Sequence, residues 1–245
     1  MDNKRHLKKF ENQNAYDTQK DELMGIPHVV LFEDTKKLVY ASKDPFNGHE
    51  YVDLGLPSGT LWATSVIGGD NPLYFAWGDT EGATKEQIES GEFLFGADDN
   101  GNVGSLVQYM PDVSTLTKYN SEDGKTVLDL EDDVVNVHMG GDWHIPTYEQ
   151  LTELTENTTS TWTTQNGVNG RLFTSNINGE SVFVPAFGIV DVDGLYDVGS
   201  YGSVWSSSIS ADSLRRAYYL YFDSSLSDFG TNMRTDGCCV IGVVG

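Results

Sequence analysis

Tyrosine, serine and arginine side chains are concentrated near the C-terminal end of the chain, in a pattern typical of a binding surface. Ten Ser and four Tyr lie between Ser200 and Ser227. Tyrosine offers rigid amphipathic contact area, and serine and glycine offer adaptable hydrogen bonds. Two adjacent arginines add donors that suit carboxylate or sugar-acid groups. The predicted exposed ligand-binding set is Ser203, Arg215, Arg216, Tyr219, Tyr221, Phe229, Asn232 and Met233.

The strand predicted over residues 217–222 divides its aromatic side chains between two faces. Successive side chains of a strand point to opposite faces. Tyr218, Leu220 and Phe222 therefore share one face, and Tyr219 and Tyr221 share the other. At most half of these aromatics can face a ligand, and the rest are expected in the core.

Catalytic chemistry is poorly supported by the reactive residue types. Cys238 and Cys239 are adjacent, and a disulfide between neighbours is strained. On a strand their side chains point to opposite faces, so they do not form a cooperating pair. The five histidines are scattered at positions 6, 28, 49, 138 and 144, and we interpret His144 as structural. We predict that the protein is not an enzyme.

Metal-binding patterns are also weak. Residues 98–102 (DDNGN) resemble a calcium loop, but Val103 replaces the expected glycine and Tyr109 replaces the closing glutamate. Residues 191–194 (DVDG) favour a turn. We expect no metal and no cofactor.

The charge distribution excludes one class of partner. The net charge is -22, yet residues 1–45 contain eight basic and eight acidic residues. The whole acidic excess therefore falls on residues 46–245, and such a surface repels nucleic acid. No signal peptide and no apolar run of membrane-spanning length is visible, so we expect no membrane insertion.

The N-terminal part predicts an appendage rather than a domain. Leu7 and Phe10 have the spacing of a short amphipathic helix, and residues 25–44 predict a β-hairpin with its turn at 33–37. A lone hairpin is marginal in water, which favours docking, oligomerisation or packing on the chain's own domain. We assign residues 1–48 to attachment or oligomerisation and residues 49–245 to a ligand-binding domain.

The main domain is predicted to be rich in strands, with one clear helix. Thr147 and Gln150 have the spacing of a capping box, which predicts a helix over residues 147–154. Trp205 is expected in the core. Strands are predicted at 51–54, 61–63, 74–77, 172–174, 181–184, 204–208, 217–222 and 239–244.

A series of short motifs recurs in a fixed order along residues 49–245. Early motifs are 51–63 (YVDLGLPSGTLWA), 74–80 (YFAWGDT), 116–120 (LTKYN), 123–128 (DGKTVL) and 131–133 (EDD). Later ones are 140–147 (GGDWHIPT), 183–188 (FVPAFG), 199–202 (GSYG), 205–208 (WSSS) and 217–222 (AYYLYF), then Arg234, Gly237 and Val240. Together they resemble the paralogous surface domain of Bacteroidetes and their phages, which has a C-type lectin fold of the formylglycine-generating-enzyme type. The chain is also similar to the variable proteins of diversity-generating retroelements.

The resemblance implies an α+β, C-type-lectin-like domain with twisted antiparallel sheets, one or two helices, long loops and a changeable C-terminal binding face. It also implies a phage virion surface protein, such as a head or tail fibre component, that binds host or gut glycans or proteins. A homo-oligomer is expected, with a trimer as one option, held to other virion proteins by the N-terminal segment. Two alternatives stay open: a structural capsid decoration protein without a ligand, and an adhesin on the bacterial cell surface.

Overall fold

The computed structural model describes residues 6–10, 28–32, 37–41, 46–92, 95 and 118–245. The chain divides into two compact units, Met1–Tyr51 and Val52–Gly245. Residues 98–102, which resemble a calcium loop, lie outside the described residues. Among the described helices, none combines the length and apolar character that a membrane crossing requires.

The first unit contains a three-stranded sheet. Its strands are β1 (His6–Phe10), β2 (His28–Phe32) and β3 (Lys37–Ala41). The antiparallel pairing of β2 with β3 confirms the predicted hairpin. The helix expected around Leu7 and Phe10 is wrong, because this segment pairs in parallel with β2. A helix of a single turn is too short to be stable in water. As a third strand, the same segment pairs with backbone groups at the open edge of a hairpin that is marginal by itself.

The first half of the second unit alternates short strands with three short helices. The strands are β4 (Tyr51–Asp53), β5 (Leu61–Val66), β6 (Leu73–Tyr74) and β7 (Ala83–Thr84). The helices are α1 (Lys85–Glu89), α2 (Val134–Met139) and α3 (Tyr148–Asn157), with a 3₁₀ turn at Leu130–Asp132. The α3 prediction is confirmed: Thr147 Oγ1 accepts from Gln150 N (3.3 Å), and Gln150 Oε1 accepts from Thr147 N (2.9 Å).

The second half is built from antiparallel strands. These are β8 (Thr158–Gln165), β9 (Val168–Ser175), β10 (Ser181–Pro185), β11 (Ile189–Asp191), β12 (Gly194–Tyr196), β13 (Gly202–Ile209), β14 (Arg216–Phe222), β15 (Ser227–Met233) and β16 (Ile241–Val244). The strand orders are β10-β9-β8, β11-β12, β13-β14-β15 and β16-β5-β4. Antiparallel sheets with a few helices place the described structure in the α+β class.

Most predicted strands exist with shifted ends, and one is wrong. The strand expected at 74–77 stops at Tyr74, because Phe75 makes only an isolated bridge to Cys238 and Trp77 N donates to Arg234 O. The strands β7, β8, β11, β12 and β15 and the helices α1 and α2 were not predicted. The turn predicted at 191–194 joins β11 to β12, and Asp191 Oδ1 accepts from Asp193 N there (2.8 Å).

Large aromatic side chains form the core that supports the C-terminal sheet. Trp62, Trp77, Trp143 and Trp205 are fully buried, which confirms the core position expected of Trp205. Trp205 Nε1 donates to Phe75 O (2.7 Å), and Trp77 Nε1 donates to Ser206 O (2.8 Å). Every residue of β13 is buried, so this strand is covered on both faces.

The segment before β16 connects β11, the residue after β6 and β13. Gly237 bridges to Val190 of β11, Cys238 to Phe75 and Cys239 to Val204 of β13. Both cysteines are buried and free. Burial raises the pKa of the Cys238 thiol, and it raises that of Cys239 to about 12. Both thiols are therefore protonated at neutral pH and are poor nucleophiles.

Candidate ligand-binding surface

Three tyrosine rings meet on one face of the β13-β14-β15 sheet. Tyr219 lies opposite Trp205, and Tyr221 lies opposite Ser203. Directly paired residues share a face, as do residues two apart on one strand. Tyr201 precedes Ser203 by two positions, and its ring stacks on Tyr221 with centroids 6.0 Å apart. We call Tyr201, Tyr219 and Tyr221 the tyrosine surface.

The tyrosine surface is a continuous aromatic platform. The Tyr219 and Tyr221 rings are tilted by 33° with centroids 5.5 Å apart, and the Tyr201 and Tyr219 hydroxyls lie 3.3 Å apart. All three side chains are half-buried. Burial raises the pKa values of Tyr201 and Tyr219, so their hydroxyls are protonated and able to donate at neutral pH. The platform therefore combines exposed ring area with hydrogen-bonding groups.

Rigid groups lie beneath the platform. The Trp205 ring meets Tyr219 edge-on with centroids 6.1 Å apart. A Cβ added to Gly230, the residue opposite Tyr219, would lie 2.8 Å from the Tyr219 ring. The absence of a side chain at Gly230 thus makes room for this ring.

Ser203 is not available to a ligand, contrary to the prediction. It is 2% exposed, and its hydroxyl donates to Gly188 O (2.7 Å). The reason is its place on β13, where the core covers both faces. Ser203 instead holds β13 to the segment that precedes β11.

Three other predicted residues lie on the opposite face from the tyrosine surface. Phe229 pairs with Leu220 of β14, and Met233 pairs with Arg216. By alternation these positions face away from Tyr219 and Tyr221. Phe229 packs against Tyr148 of α3 with ring centroids 5.2 Å apart. The predicted set is therefore wrong as a single surface.

Tyr218 also belongs to that opposite face, as the alternation of β14 predicted. Its ring packs on Tyr148 with centroids 4.4 Å apart, and its hydroxyl accepts from Ala211 N (3.3 Å). This face of the sheet is partly covered by α3, whose first residue is Tyr148.

Side chains close the open edge of β15. Among the described strands only β14 pairs with β15. Asp228 Oδ1 accepts from Phe229 N (2.8 Å), and Asn232 Oδ1 accepts from Met233 N (3.0 Å). The Arg216 guanidinium donates to Thr231 O (2.9 Å). Residues 229, 231 and 233 alternate by two, so their backbone groups point to the same side of the strand. Arg216 and Asn232 therefore satisfy backbone groups at an edge that would otherwise invite strand pairing.

The remaining predicted residue, Arg215, lies just before β14. Its side chain is exposed, and its carbonyl accepts from Arg234 N (2.9 Å). Arg234 is itself buried, with its guanidinium 4.6 Å from the centroid of the Trp77 ring. Arg215 thus marks the end of the sheet, whereas the tyrosine surface occupies its middle.

Two carboxyl groups lie near the tyrosine surface. Asp228 lies opposite Tyr221 on the same face and is exposed. Asp236 is 8% exposed, and burial, with a further contribution from the Asp191 carboxylate, raises its pKa to about 7. The bridge between Val190 and Gly237 brings these two aspartates together. Such surroundings favour neutral or cationic ligands over anions.

A cluster of three acidic side chains elsewhere is paired with two lysines. Asp129, Glu131 and Asp132 place carboxylate oxygens within 4.8 Å of one another. Lys118 pairs with Glu131 and Asp132 (2.8 Å to Asp132), and Lys125 pairs with Asp129. The two lysines therefore offset part of the negative charge of this cluster.

Tyr201 was not in the predicted set, although a sequence signal for it exists. Tyr201 is two residues before Ser203 and four before Trp205, and side chains an even number of positions apart on a strand share a face.

No family model, curated protein or solved structure matches the chain.

Proposed function

We propose that the protein is a non-enzymatic ligand-binding protein whose second unit has a C-type-lectin-like fold and binds its ligand at the tyrosine surface. The observation that carries the proposal is the gathering of Tyr201, Tyr219 and Tyr221 as half-exposed rings above a fully buried strand. A rigid platform of this kind loses little conformational entropy on binding.

The ligand is a neutral or cationic glycan or protein. Residues 46–245 contain seven basic and 29 acidic residues, and Asp228 lies beside the platform. Arg215 and Arg216 were expected to serve acidic groups, but Arg216 bonds to Thr231 O and lies on the other face. Repulsion by the acidic surface disfavours anionic ligands, nucleic acid among them.

Buried, protonated thiols favour binding over catalysis. Cys238 and Cys239 are inaccessible as nucleophiles. His144 contacts Asp142 O (3.0 Å) and Gln150 Oε1 (3.3 Å), which suits its structural interpretation.

The lectin-like fold is supported by where the recurring motifs lie. Trp62, Trp77, Trp143 and Trp205 come from four different motifs, and all are fully buried. Arg234, from the last motif, lies over Trp77. The motifs therefore contribute buried side chains to the scaffold, and two of them, 199–202 and 217–222, also carry the three tyrosines.

Display on a phage particle follows from the same resemblance. In this proposal the three-stranded N-terminal sheet attaches the protein to other virion proteins and to further copies of itself. Its compactness as a unit separate from residues 52–245 is compatible with such a division of labour.

Two measurements test the proposal. Mass spectrometry of purified phage particles, with sizing of the chain with and without residues 1–44, tests display and attachment. We expect to find the protein in particles, and we expect only the full-length chain to form oligomers. Absence from particles, together with a monomer in both forms, contradicts the virion role.

Binding of the full-length chain to arrayed neutral and acidic glycans and to intact Bacteroidetes cells tests ligand recognition. Binding that is lost on Tyr219→Ala supports it, and binding indifferent to that change contradicts it.

A further inference from the structure

A groove of about 200 Å³ lies apart from the three tyrosines. Its walls come from β5, from the turn between β8 and β9, and from β10 with the residues that follow it. The β8–β9 turn is a two-residue hairpin turn, because Gln165 pairs with Val168. Asn166 (φ 50°) and Gly167 (φ 83°) both have the positive φ that a type I′ turn requires. The residues of this turn are therefore held firmly at the groove.

The floor of the groove is apolar and fixed in place. Phe183, Pro185 and Phe187 line it, together with Val66 and Val168. The Phe183 ring lies against Gly170, where an added Cβ would come within 2.6 Å of it. The backbone of Phe187 is held by Tyr74, whose hydroxyl donates to Phe187 O (2.7 Å). A pre-formed apolar floor is the usual basis of a small-molecule site.

The rim carries neutral polar side chains that are free to bind. Thr64, Ser65, Gln165 and Asn166 line it, and Asp70 is the one ionisable group among the lining residues. Within the described ranges, no hydrogen bond uses any of these five side chains. They offer hydroxyl and amide donors and acceptors around the apolar floor.

We propose that this groove binds a single neutral sugar ring, at a site separate from the tyrosine surface. A pyranose presents apolar C–H faces to an aromatic floor and hydroxyls to a polar rim. The volume lies below the range of about 300–1,000 Å³ typical of drug-sized ligands, which suits one ring rather than an oligosaccharide. Asp70 disfavours uronic and sialic acids at the same rim. The proposal stands independently of ligand binding at the tyrosine surface.

The test is an NMR titration of the full-length chain with methyl glycosides of glucose, galactose and N-acetylglucosamine, and with methyl glucuronoside. We expect amide shifts confined to residues 64–70, 165–168 and 183–187, with millimolar affinity for at least one neutral glycoside and weaker binding of the glucuronoside. Gln165→Ala removes one hydrogen-bonding group and should weaken binding by about three- to tenfold. Thr161→Ala, an exposed change on the same strand away from the groove, is the matched control and should bind like the parent.

The outcomes separate this site from the tyrosine surface. Shifts that survive Tyr221→Ala and weaken with Gln165→Ala support the groove. Absence of shifts at the groove with every glycoside, or equal loss in Thr161→Ala and Gln165→Ala, overturns it. Equal or tighter binding of the glucuronoside overturns the assignment to neutral sugars. Shifts confined to Tyr201, Tyr219 and Tyr221 also overturn the groove while leaving the proposed function intact.

Discussion

Alanine at Gly202 should lower stability, whereas alanine at Gly230 should weaken ligand binding with little change in stability. Gly202 and Gly230 each lie opposite an aromatic residue of β14. A Cβ at Gly202 would lie 2.1 Å from the Phe222 ring, and one at Gly230 would lie 2.8 Å from the Tyr219 ring. Phe222 is fully buried and has nowhere to move, whereas Tyr219 is half-exposed and can swing outward.

The magnitudes follow from packing. Overpacking a core costs about 1–3 kcal/mol, and replacing Gly by Ala at a compatible backbone returns about 0.4–1 kcal/mol through the unfolded chain. Gly202→Ala should therefore lower the free energy of unfolding by about 1–2 kcal/mol, or lower Tm by about 2–8 °C. Gly230→Ala should change stability by less than about 1 kcal/mol, because the displaced ring is not trapped.

Thermal and urea unfolding measure the first effect, and binding to the array-selected ligand measures the second. We expect Gly230→Ala to weaken ligand binding at near-parental Tm, and Gly202→Ala to lower Tm. In the Gly202→Ala background, Phe222→Leu should cost less than it does alone, because the smaller side chain relieves the clash. Equal loss of stability in the two glycine variants would refute the reasoning about ring mobility.

Further predictions concern the sheet edge, a buried carboxyl group and the thiols. The double change Asp228→Ala and Asn232→Ala removes the side chains that accept hydrogen bonds from backbone N–H groups of β15. We expect self-association that increases with protein concentration, measured by sedimentation velocity. An unchanged sedimentation profile would argue against capping of the strand edge by these side chains. Burial raises the folded-state pKa of Asp236 to about 7, so the folded protein holds this proton more tightly than the unfolded chain does. The stability that the protonated carboxyl group allows is fully present below about pH 4 and is lost as pH rises through 7. Asp236→Asn should therefore raise Tm at pH 7–8 and reduce the fall in Tm that the parent shows as pH rises from about 4 to 7. A lower Tm of the variant at pH 8 would contradict a destabilising buried carboxylate at this position. Cys238 and Cys239 should resist a thiol reagent in the native protein and react on unfolding, whereas rapid native labelling would contradict their burial.

Matched controls exist for two of these experiments. Asp212→Ala removes an exposed carboxylate away from β15, and should leave sedimentation unchanged. Asp228→Asn changes charge near the platform at an exposed position, and should not reproduce the pH effect of Asp236→Asn.

Local patterns predicted those features that depend on neighbouring residues alone. Thr147 and Gln150 marked the start of α3 because capping is a contact within one turn. The alternation of β14 assigned Tyr218 and Tyr219 to opposite faces because a strand has a period of two. The Asn166–Gly167 pair is an equally local hairpin signal that could have revealed β8, which was missed.

Features that depend on pairing between distant segments were not predictable in this way. Phe229 was placed beside Tyr219 because its register against β14 was unknown, and register decides the face of every residue on β15. Ser203 was expected to be exposed because it belongs to a stretch rich in serine and tyrosine that is typical of binding surfaces, but β13 is covered on both faces. The capping role of Arg216 depends on β15 being an edge strand, which only the sheet order reveals.

The most direct test of ligand binding at the tyrosine surface is the affinity of the full-length chain for intact Bacteroidetes cells, compared between the parent, Tyr221→Ala and the control Thr161→Ala. Tyr221 makes ring contacts in the tyrosine surface, and truncation of a hot-spot tyrosine in an interface costs about 2 kcal/mol or more, which is at least about 30-fold in affinity. We expect that loss for Tyr221→Ala and parental affinity for Thr161→Ala, with both variants folded. Parental affinity in Tyr221→Ala would contradict the assignment of the tyrosine surface as the binding site.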